Sequence, residues 1–301
     1  MKAVDVLVVG AGPAGLTAAT YLARFRRSVL AADGGEPRAA WIPLSHNMPG
    51  FPEGIGGDAI LKRMRRQAGE YGAEIRPVFV EDLARDGDRF TARLGDERIT
   101  ARAVLLATGV VDHHPDLPGV QDAIARGLVR ICPICDGFEA IGKSIAVIGD
   151  SDLGAREAAF VRTYSDRVCL IHVGPPEALT RHDDLKRLGV RVIETAIEQV
   201  HIEGDRMTAL SWGGQQTSFD AVYSALGTTP ESGLAVDLGA ALGEDGRLVV
   251  DDHQQTTVAG LYAAGDVVRG LNQLTVASAE AAVAATAIHN RFREAEGMTA
   301  D

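Results

Sequence analysis

One feature limits the fold more than any other. The apolar run DVLVV (5–9) passes directly into glycines at Gly10, Gly12 and Gly15 and then into a helical stretch (16–26). A second apolar run, SVLAA, follows and is closed by Asp33. Short apolar runs bounded by glycine read as buried strands of a parallel sheet, so this segment is a strand–turn–helix–strand unit. The same pattern returns about 140 residues later: strand 144–148, turn 149–154, helix 155–163, strand 167–171. Two such units imply an internal duplication of architecture. Another apolar strand (103–107) is closed by Thr108 and Gly109, and LYAAGDV (261–267) leads into an alanine-rich helix (277–292). The expected fold is α/β, with two Rossmann-like three-layer domains, the second inserted in the first. A Pro-, His- and Asp-rich stretch (112–118) and the loop 243–246 mark the crossings. The outer domain is then 1–113 with 242–301, and the inner one 114–241.

The first turn, GAGPAG (Gly10, Ala11, Gly12, Pro13, Ala14, Gly15), matches G-x-G-x-x-G between a strand and a helix. Gly10 permits the tight turn and Gly12 lets backbone approach a pyrophosphate. Gly15 allows close helix–strand packing, and the helix N-terminus offers free N–H groups to an anion. Asp33, 23 residues after Gly10, stands where a carboxylate accepts a ribose hydroxyl.

The formal net charge of −11 argues against nucleic acid or an anionic membrane surface as partner. The one basic cluster (Lys62, Arg63, Arg65, Arg66) reads as a solvated helix face. No segment has about twenty consecutive apolar residues, and the N-terminus runs straight into a strand without the features of a signal peptide. The expectation is a soluble cytoplasmic protein.

There are three cysteines, too few and too odd in number for a secreted disulfide framework. Cys132 and Cys135 form C-x-x-C in RICPICDGFE, whereas Cys169 lies in the apolar run VCLI and reads as core. A lone C-x-x-C does not complete a four-ligand zinc site, and His113, His114 and His172 lack ligand-like spacing to it, so no metal is expected. Metal binding and structural thiols stand as alternatives to redox chemistry. In the redox reading, a C-x-x-C at a helix start favours one thiolate. Asp136 would exchange a proton with the leaving or attacking thiol, and Pro133 would stiffen the turn.

The order GAGPAG, NMPG (47–50), LLATG (105–109), C-x-x-C-D-G (132–137), a second glycine turn and AAGDV resembles low-molecular-weight thioredoxin reductases over nearly the whole chain. That resemblance implies a homodimer with one FAD per chain and a thioredoxin-like partner or a small dithiol or disulfide. It implies that Cys135 faces the flavin, that Cys132 attacks the substrate disulfide and that Asp136 is the acid. It also implies that Asp266 of AAGDV reaches the ribitol and pyrophosphate. By the same resemblance the FAD site takes in Gly34, Arg38, His46, Asn47, Thr108, Gly109, Gly265 and Gln273, although a lone His in a polar loop such as His46 also reads as a surface residue.

Two departures stand out. The second turn, Gly149-Asp150-Ser151-Asp152-Leu153-Gly154, has Ser at the central glycine position and two acids where a pyrophosphate would lie. The His-Arg-Arg-x-x-x-Arg clamp of NADPH-using thioredoxin reductases reads His172-Val173-Gly174-Pro175-Pro176-Glu177-Ala178, with all three arginines missing, so NADPH use is doubtful. Arg156, Arg162 and Arg181 are the candidates to compensate. After Asp33, the segment DGGEPRAAWIPLSH replaces the usual glycine-glycine-glutamine, and with CPxCDG it is similar to flavin dithiol oxidases of gliotoxin- and holomycin-type pathways. Pyridine-nucleotide-independent reductases, some linked to ferredoxin, also lack the clamp. The chain is therefore expected to be a disulfide reductase of thioredoxin type, with a dithiol oxidase using oxygen, or a ferredoxin-linked reductase, as the alternative. A flavin redox sensor ranks below these, because a sensor does not need an acid beside the pair.

Overall fold

The computed structural model describes residues 2–35, 37–204 and 206–299, without the side chains of 206–208; Glu36, in the segment after Asp33, lies outside them. The chain divides into two compact units, Met1–Ala40 with Gly57–Val111 and Thr229–Asp301, and Trp41–Gly56 with Asp112–Thr228.

The first unit is built on the strand Lys2–Val9, which pairs in parallel with Val29–Ala32 on one side and with Glu97–Leu106 on the other. Glu74–Arg76 extends the sheet in parallel beyond Val29–Ala32. The strand Glu97–Leu106 is shared along its length. Its first half pairs antiparallel with Arg89–Leu94, and its last residues pair in parallel with Leu261–Ala263. Alternate side chains divide the core in two, as a pleated strand dictates. Val6 and Val8 face the helices Pro13–Arg24 and Leu274–Ala295, whose contact surface is largely alanine. Leu7 and Val9 face the other way, toward Phe90, Ala92, Leu248 and Val267. Small side chains bring both helices close to the sheet.

The second unit holds a four-stranded parallel sheet in the order Arg191–Glu194, Val168–His172, Ile145–Gly149, Ala221–Ala225. The three strands from Val168 to Ala225 in that order are buried on both faces, which is why they read as unbroken apolar runs. The helix Asp152–Val161 covers one face. On the other lie the helix Val120–Ala125 and a small antiparallel sheet, whose Val200, Leu210 and Trp212 pack on Cys169 and Ile171. Both sheets are Rossmann-like α/β layers, with the second unit inserted in the first.

The return crossing falls at Thr229 rather than near 242, because Ala235, Ala240 and Leu248 pack into the first unit's core. The segment Trp41–Gly56 goes with the second unit: Trp41 packs against its core and lies beside His114, the two rings tilted by 34° with centroids 5.4 Å apart. The basic helix Gly57–Glu70 is not wholly solvated either, since Arg65 reaches back to Asp33.

The contact that seats the first helix is backbone against backbone. A Cβ on Gly15 would lie 1.9 Å from the carbonyl oxygen of Gly10. Gly15→Ala is expected to cost at least about 3 kcal/mol, read by urea denaturation, because neither backbone can retreat without breaking the sheet.

Candidate functional site

In the first unit Gly10 adopts φ +101°, and a Cβ there would meet the Ala107 carbonyl oxygen at 2.3 Å. Gly10 and Gly15 are therefore explained by the chain's own packing. Gly12 is not. It has φ −75° and ψ −170°, open to any residue, and the nearest atom to its added Cβ is Pro37 Cβ at 3.9 Å. Gly12 is the N-cap of Pro13–Arg24, with no side chain capping the helix, and Pro13 begins it. What its missing side chain leaves clear is the approach to uncapped helix N–H groups, a cradle that a pyrophosphate fits.

Other candidate residues of this unit gather at the same end of the sheet. Gly265, at φ +86°, has its would-be Cβ 3.1 Å from Ala14 Cβ and 3.5 Å from Ala277 Cβ, so the AAGDV loop lies against the first turns of both helices. Its N–H donates to Glu280 Oε2 at 2.8 Å, and Arg269 Nε donates to Glu280 Oε1 at 2.7 Å. Glu280 is a buried carboxylate that sequence reasoning missed; its signal was one acid on the alanine face of a helix. Asp266 lies 3.7 Å from Arg38 Nη1, and its carbonyl accepts from Arg247 Nε. Gln273 stands at the N-cap position of Leu274–Ala295, the second helix to start here, without a side-chain capping bond.

Asp33 closes its strand, with Oδ2 accepting from Arg65 Nη2 at 2.5 Å and Oδ1 from the Gly35 N–H at 3.1 Å. A carboxylate retains further lone-pair sites for a ribose hydroxyl. Gly34 lies against Phe79, whose Cδ2 a Cβ would meet at 2.9 Å. Thr108 Oγ1 donates to the Glu231 carbonyl at 2.6 Å, and Gly109 sits at φ +74° in the turn beyond that strand.

The second unit carries the cysteines. Cys132 and Cys135 are joined as a disulfide, and Cys169 is free and buried. Burial pushes the Cys169 thiol up, despite nearby Arg191. Cys132 is the N-cap of the single turn Pro133–Asp136, and Cys135 lies within it. One turn whose first residue lacks an N–H has little dipole, so the helix-start stabilisation expected for a thiolate is small here. Gly137 follows because a Cβ would strike Tyr164 Cε2 at 2.4 Å and the Pro133 carbonyl oxygen at 2.5 Å.

Asp136 is held from three directions. Tyr223 Oη donates to its Oδ1 at 2.9 Å, Arg130 Nε lies 3.6 Å from its Oδ2, and Arg130 Nη1 donates to its backbone carbonyl at 2.9 Å. Burial raises the Asp136 carboxyl above the usual range, while Arg130 and Tyr223 pull against it and Glu139 adds to it. His46 and Asn47 belong to this unit, not the first. Asn47 Nδ2 reaches the Ile134 carbonyl at 3.5 Å, and His46 Nε2 lies 4.0 Å from Glu139 Oε1.

The second glycine turn is occupied by its own chain. Gly149 and Gly154 still cross closely, a Cβ on Gly149 lying 2.5 Å from Gly154 Cα. At the helix start, however, Asp152 accepts from the Thr180 N–H at 2.7 Å and from Thr180 Oγ1 at 2.6 Å, contacts that hold its carboxyl below the usual range. Gly174 presses on the turn, its would-be Cβ 2.0 Å from the Asp150 carbonyl oxygen. His172 is buried, with Nε2 2.9 Å from the Pro175 carbonyl. Arg162 is spent on the Leu188 and Ser165 carbonyls, and Arg181 lies beside Asp152 and Asp184. Arg156 stands exposed on the helix. Among the described residues no group of three or more His, Cys, Asp or Glu is arranged to hold a metal, and no helix is long and apolar enough to cross a membrane.

Residues 4–281 match the model of the pyridine nucleotide-disulphide oxidoreductase family. The chain is 32% identical over 302 residues to the thioredoxin reductase of Mycolicibacterium smegmatis, covering 94% of each. It is 31% identical to that of Treponema pallidum (strain Nichols), covering 94% of this chain and 95% of the relative. Among solved structures it superposes on HlmI with a TM-score of 0.90 at 31% identity, covering 98% of this chain and 94% of that one. For the thioredoxin reductase of Streptococcus pyogenes MGAS5005 the TM-score is 0.89 at 25% identity, with coverage of 97% and 99%. The chain therefore belongs to the pyridine nucleotide-disulphide oxidoreductases. Within them it is a thioredoxin reductase-like flavoprotein disulfide oxidoreductase, a membership that implies FAD.

Gly12→Val separates ligand from fold. It is expected to leave the apoprotein's thermal midpoint within a few degrees of wild type, since the side chain enters open space. Bound flavin, read by absorbance after desalting, should be lost. Wild-type protein should carry about one FAD per chain.

Proposed function

We propose that this protein passes electrons between bound FAD, the Cys132–Cys135 pair and a protein or small-molecule disulfide, with weak or no use of NADPH. The observation that carries the reading is the disulfide closed beside a half-buried carboxyl that burial raises above its ordinary range, in a chain whose other unit leaves open space beside Gly12 at a helix start. Gly10, Gly12, Gly15, Asp33, Arg38 and Asp266 are the residues that would hold the cofactor, helped by the N-terminus at Gln273. FAD, when bound, supplies the two-electron exchange with the pair.

The chain's own residues do the rest. The reduced Cys132 thiolate attacks a substrate disulfide; one S–S bond forms as another breaks, and the departing sulfur takes a proton from Asp136. The ionised Asp136 then takes the Cys135 thiol proton, the Cys135 thiolate attacks Cys132 Sγ and closes the pair, and that proton passes to the second departing sulfur. Two electrons pass to the substrate. Run backwards, the same steps oxidise a dithiol, with Asp136 as base. A thioredoxin-like protein or a small disulfide is the proposed partner, in a cytoplasmic homodimer.

The second turn favours a donor other than NADPH. Asp152, tied to Thr180, keeps a carboxylate at the helix start, and of the three candidate arginines Arg162 is engaged with backbone carbonyls and Arg181 with carboxylates, while Arg156 stands exposed. A contact to a charged phosphate is worth about 1.5–3 kcal/mol, so losing two weakens binding roughly a hundredfold or more. This observation supports the second reading, a dithiol oxidase that returns electrons to oxygen, or a reductase fed by a ferredoxin-type protein.

Anaerobic titration of the flavin absorbance with NADPH, NADH and a dithiol in turn tests the proposal. The dithiol is expected to bleach the flavin and NADPH to do so slowly or not at all. Complete bleaching within a second by sub-millimolar NADPH would return the protein to the ordinary NADPH-linked reductases. Cys132→Ser should leave a Cys135 thiolate and a long-wavelength charge-transfer band, whereas Cys169→Ser should leave flavin reduction unchanged. Mass spectrometry finding Cys169 in the reversible disulfide would overturn the assignment.

A further inference from the structure

Asp136 does not stand alone beside the redox pair. Arg130, two residues before Cys132, is stitched to the sheet by its backbone: its N–H donates to the Val222 carbonyl at 2.8 Å and its carbonyl accepts from the Ser224 N–H at 2.8 Å. These bonds straddle Tyr223, with which Arg130 forms a parallel bridge. Tyr223 is fully buried in Ala221–Ala225, where an apolar side chain would fill the layer without a polar tip to satisfy. Instead its hydroxyl accepts from Arg130 Nη1 at 3.1 Å and donates to Asp136 Oδ1 at 2.9 Å. The Arg130 fork also takes the Asp136 backbone carbonyl, so one cation and one hydroxyl grip both the main chain and the side chain of the last residue of the redox turn.

The geometry points to Arg130 and Tyr223 as positioning residues for thiol–disulfide exchange: they aim the Asp136 carboxyl and set the pH range over which it trades its proton. The inference rests on the acid–base role proposed for Asp136. The charged and titratable groups facing that carboxyl are Arg130 and Tyr223 from the sheet side and Glu139 from the turn that follows, with His46 beyond Glu139. Burial and Glu139 favour the protonated form, and Arg130 and Tyr223 favour the ionised one. Without the latter two, the carboxyl would stay protonated to higher pH and would serve poorly as the base in the reverse direction. The Tyr223 hydroxyl is itself pushed well above its ordinary range, first by burial and then by Asp136, so it stays a donor throughout the working pH range.

The experiment uses reduced holoprotein and a simple dialkyl disulfide, whose departing thiolate needs a proton. Thiol release is followed by anaerobic rapid mixing across the whole pH range in which the holoprotein stays folded. An acid at Asp136 gives an alkaline limb, where the rate falls as the carboxyl ionises. Asp136→Asn should lower the rate about a hundredfold and remove that limb. Tyr223→Phe and Arg130→Gln should keep the limb but move it to higher pH, and Arg130→Lys should bring it back toward wild type. A merely structural role would lower the rate equally at every pH. An unmoved limb in both Tyr223→Phe and Arg130→Gln, with Asp136→Asn abolishing it, overturns the inference and spares the acid role. A limb that survives in Asp136→Asn overturns both. Should Arg130→Gln fail to fold, Tyr223→Phe decides alone, since it removes one oxygen from a side chain whose ring remains packed.

Discussion

The first unit depends on the crossing of Gly10 and Gly15. A helix of ordinary residues would stand off its strand by the thickness of a Cβ. Here the carbonyl of Gly10 occupies the space where a Gly15 side chain would be, and the helix axis drops onto the sheet. Everything at that end of the sheet follows from the descent. The alanines of Pro13–Arg24 and Leu274–Ala295 interlock only because their backbones are close. The AAGDV loop has no room for a side chain at Gly265 because Ala14 has been brought against it. The uncapped N–H groups at Gly12 end up at the open end of the strands, where parallel sheets bind their ligands. A steric constraint between two backbones thus positions the group that would hold a phosphate.

The architecture was legible because it is written in local pattern: runs of four or five apolar residues, glycines at fixed offsets and an alanine stripe of helical period. The pairing of Cys132 with Cys135 was legible because the C-x-x-C offset brings two sulfurs together, and the place of Asp33 at a strand end was legible from the apolar run before it. What escaped is what depends on contact between distant segments. Arg65 was indistinguishable from its basic neighbours until the helix Gly57–Glu70 was laid beside Asp33. Glu280 looked like an ordinary polar residue of a long helix. Tyr223 sits in the buried run AVYSA with its ring in the core, and nothing in that run announces that its hydroxyl meets Asp136. The return of the chain at Thr229 was misjudged because glycine-rich loops advertise turns, not the destination of Ala235 and Ala240.

The two turns of the duplicated architecture make an internal comparison. Both keep the outer glycines, because both helices must sit on their strands: Gly149 and Gly154 approach as Gly10 and Gly15 do. They differ at the centre. Gly12 leaves the helix start open, whereas the Ser151 hydroxyl turns onto the Asp150 carboxylate and Asp152 ties the helix start to Thr180. Packing glycines and ligand glycines therefore answer to different demands, and the second turn has kept the first demand while placing two acids beside its helix N-terminus. Negative charge beside a helix start opposes the binding of a phosphate there. On the function proposed above, the thiol pair is a port through which electrons enter or leave the flavin, and the direction of flow follows the relative reduction potentials of the pair, the flavin and the partner thiol.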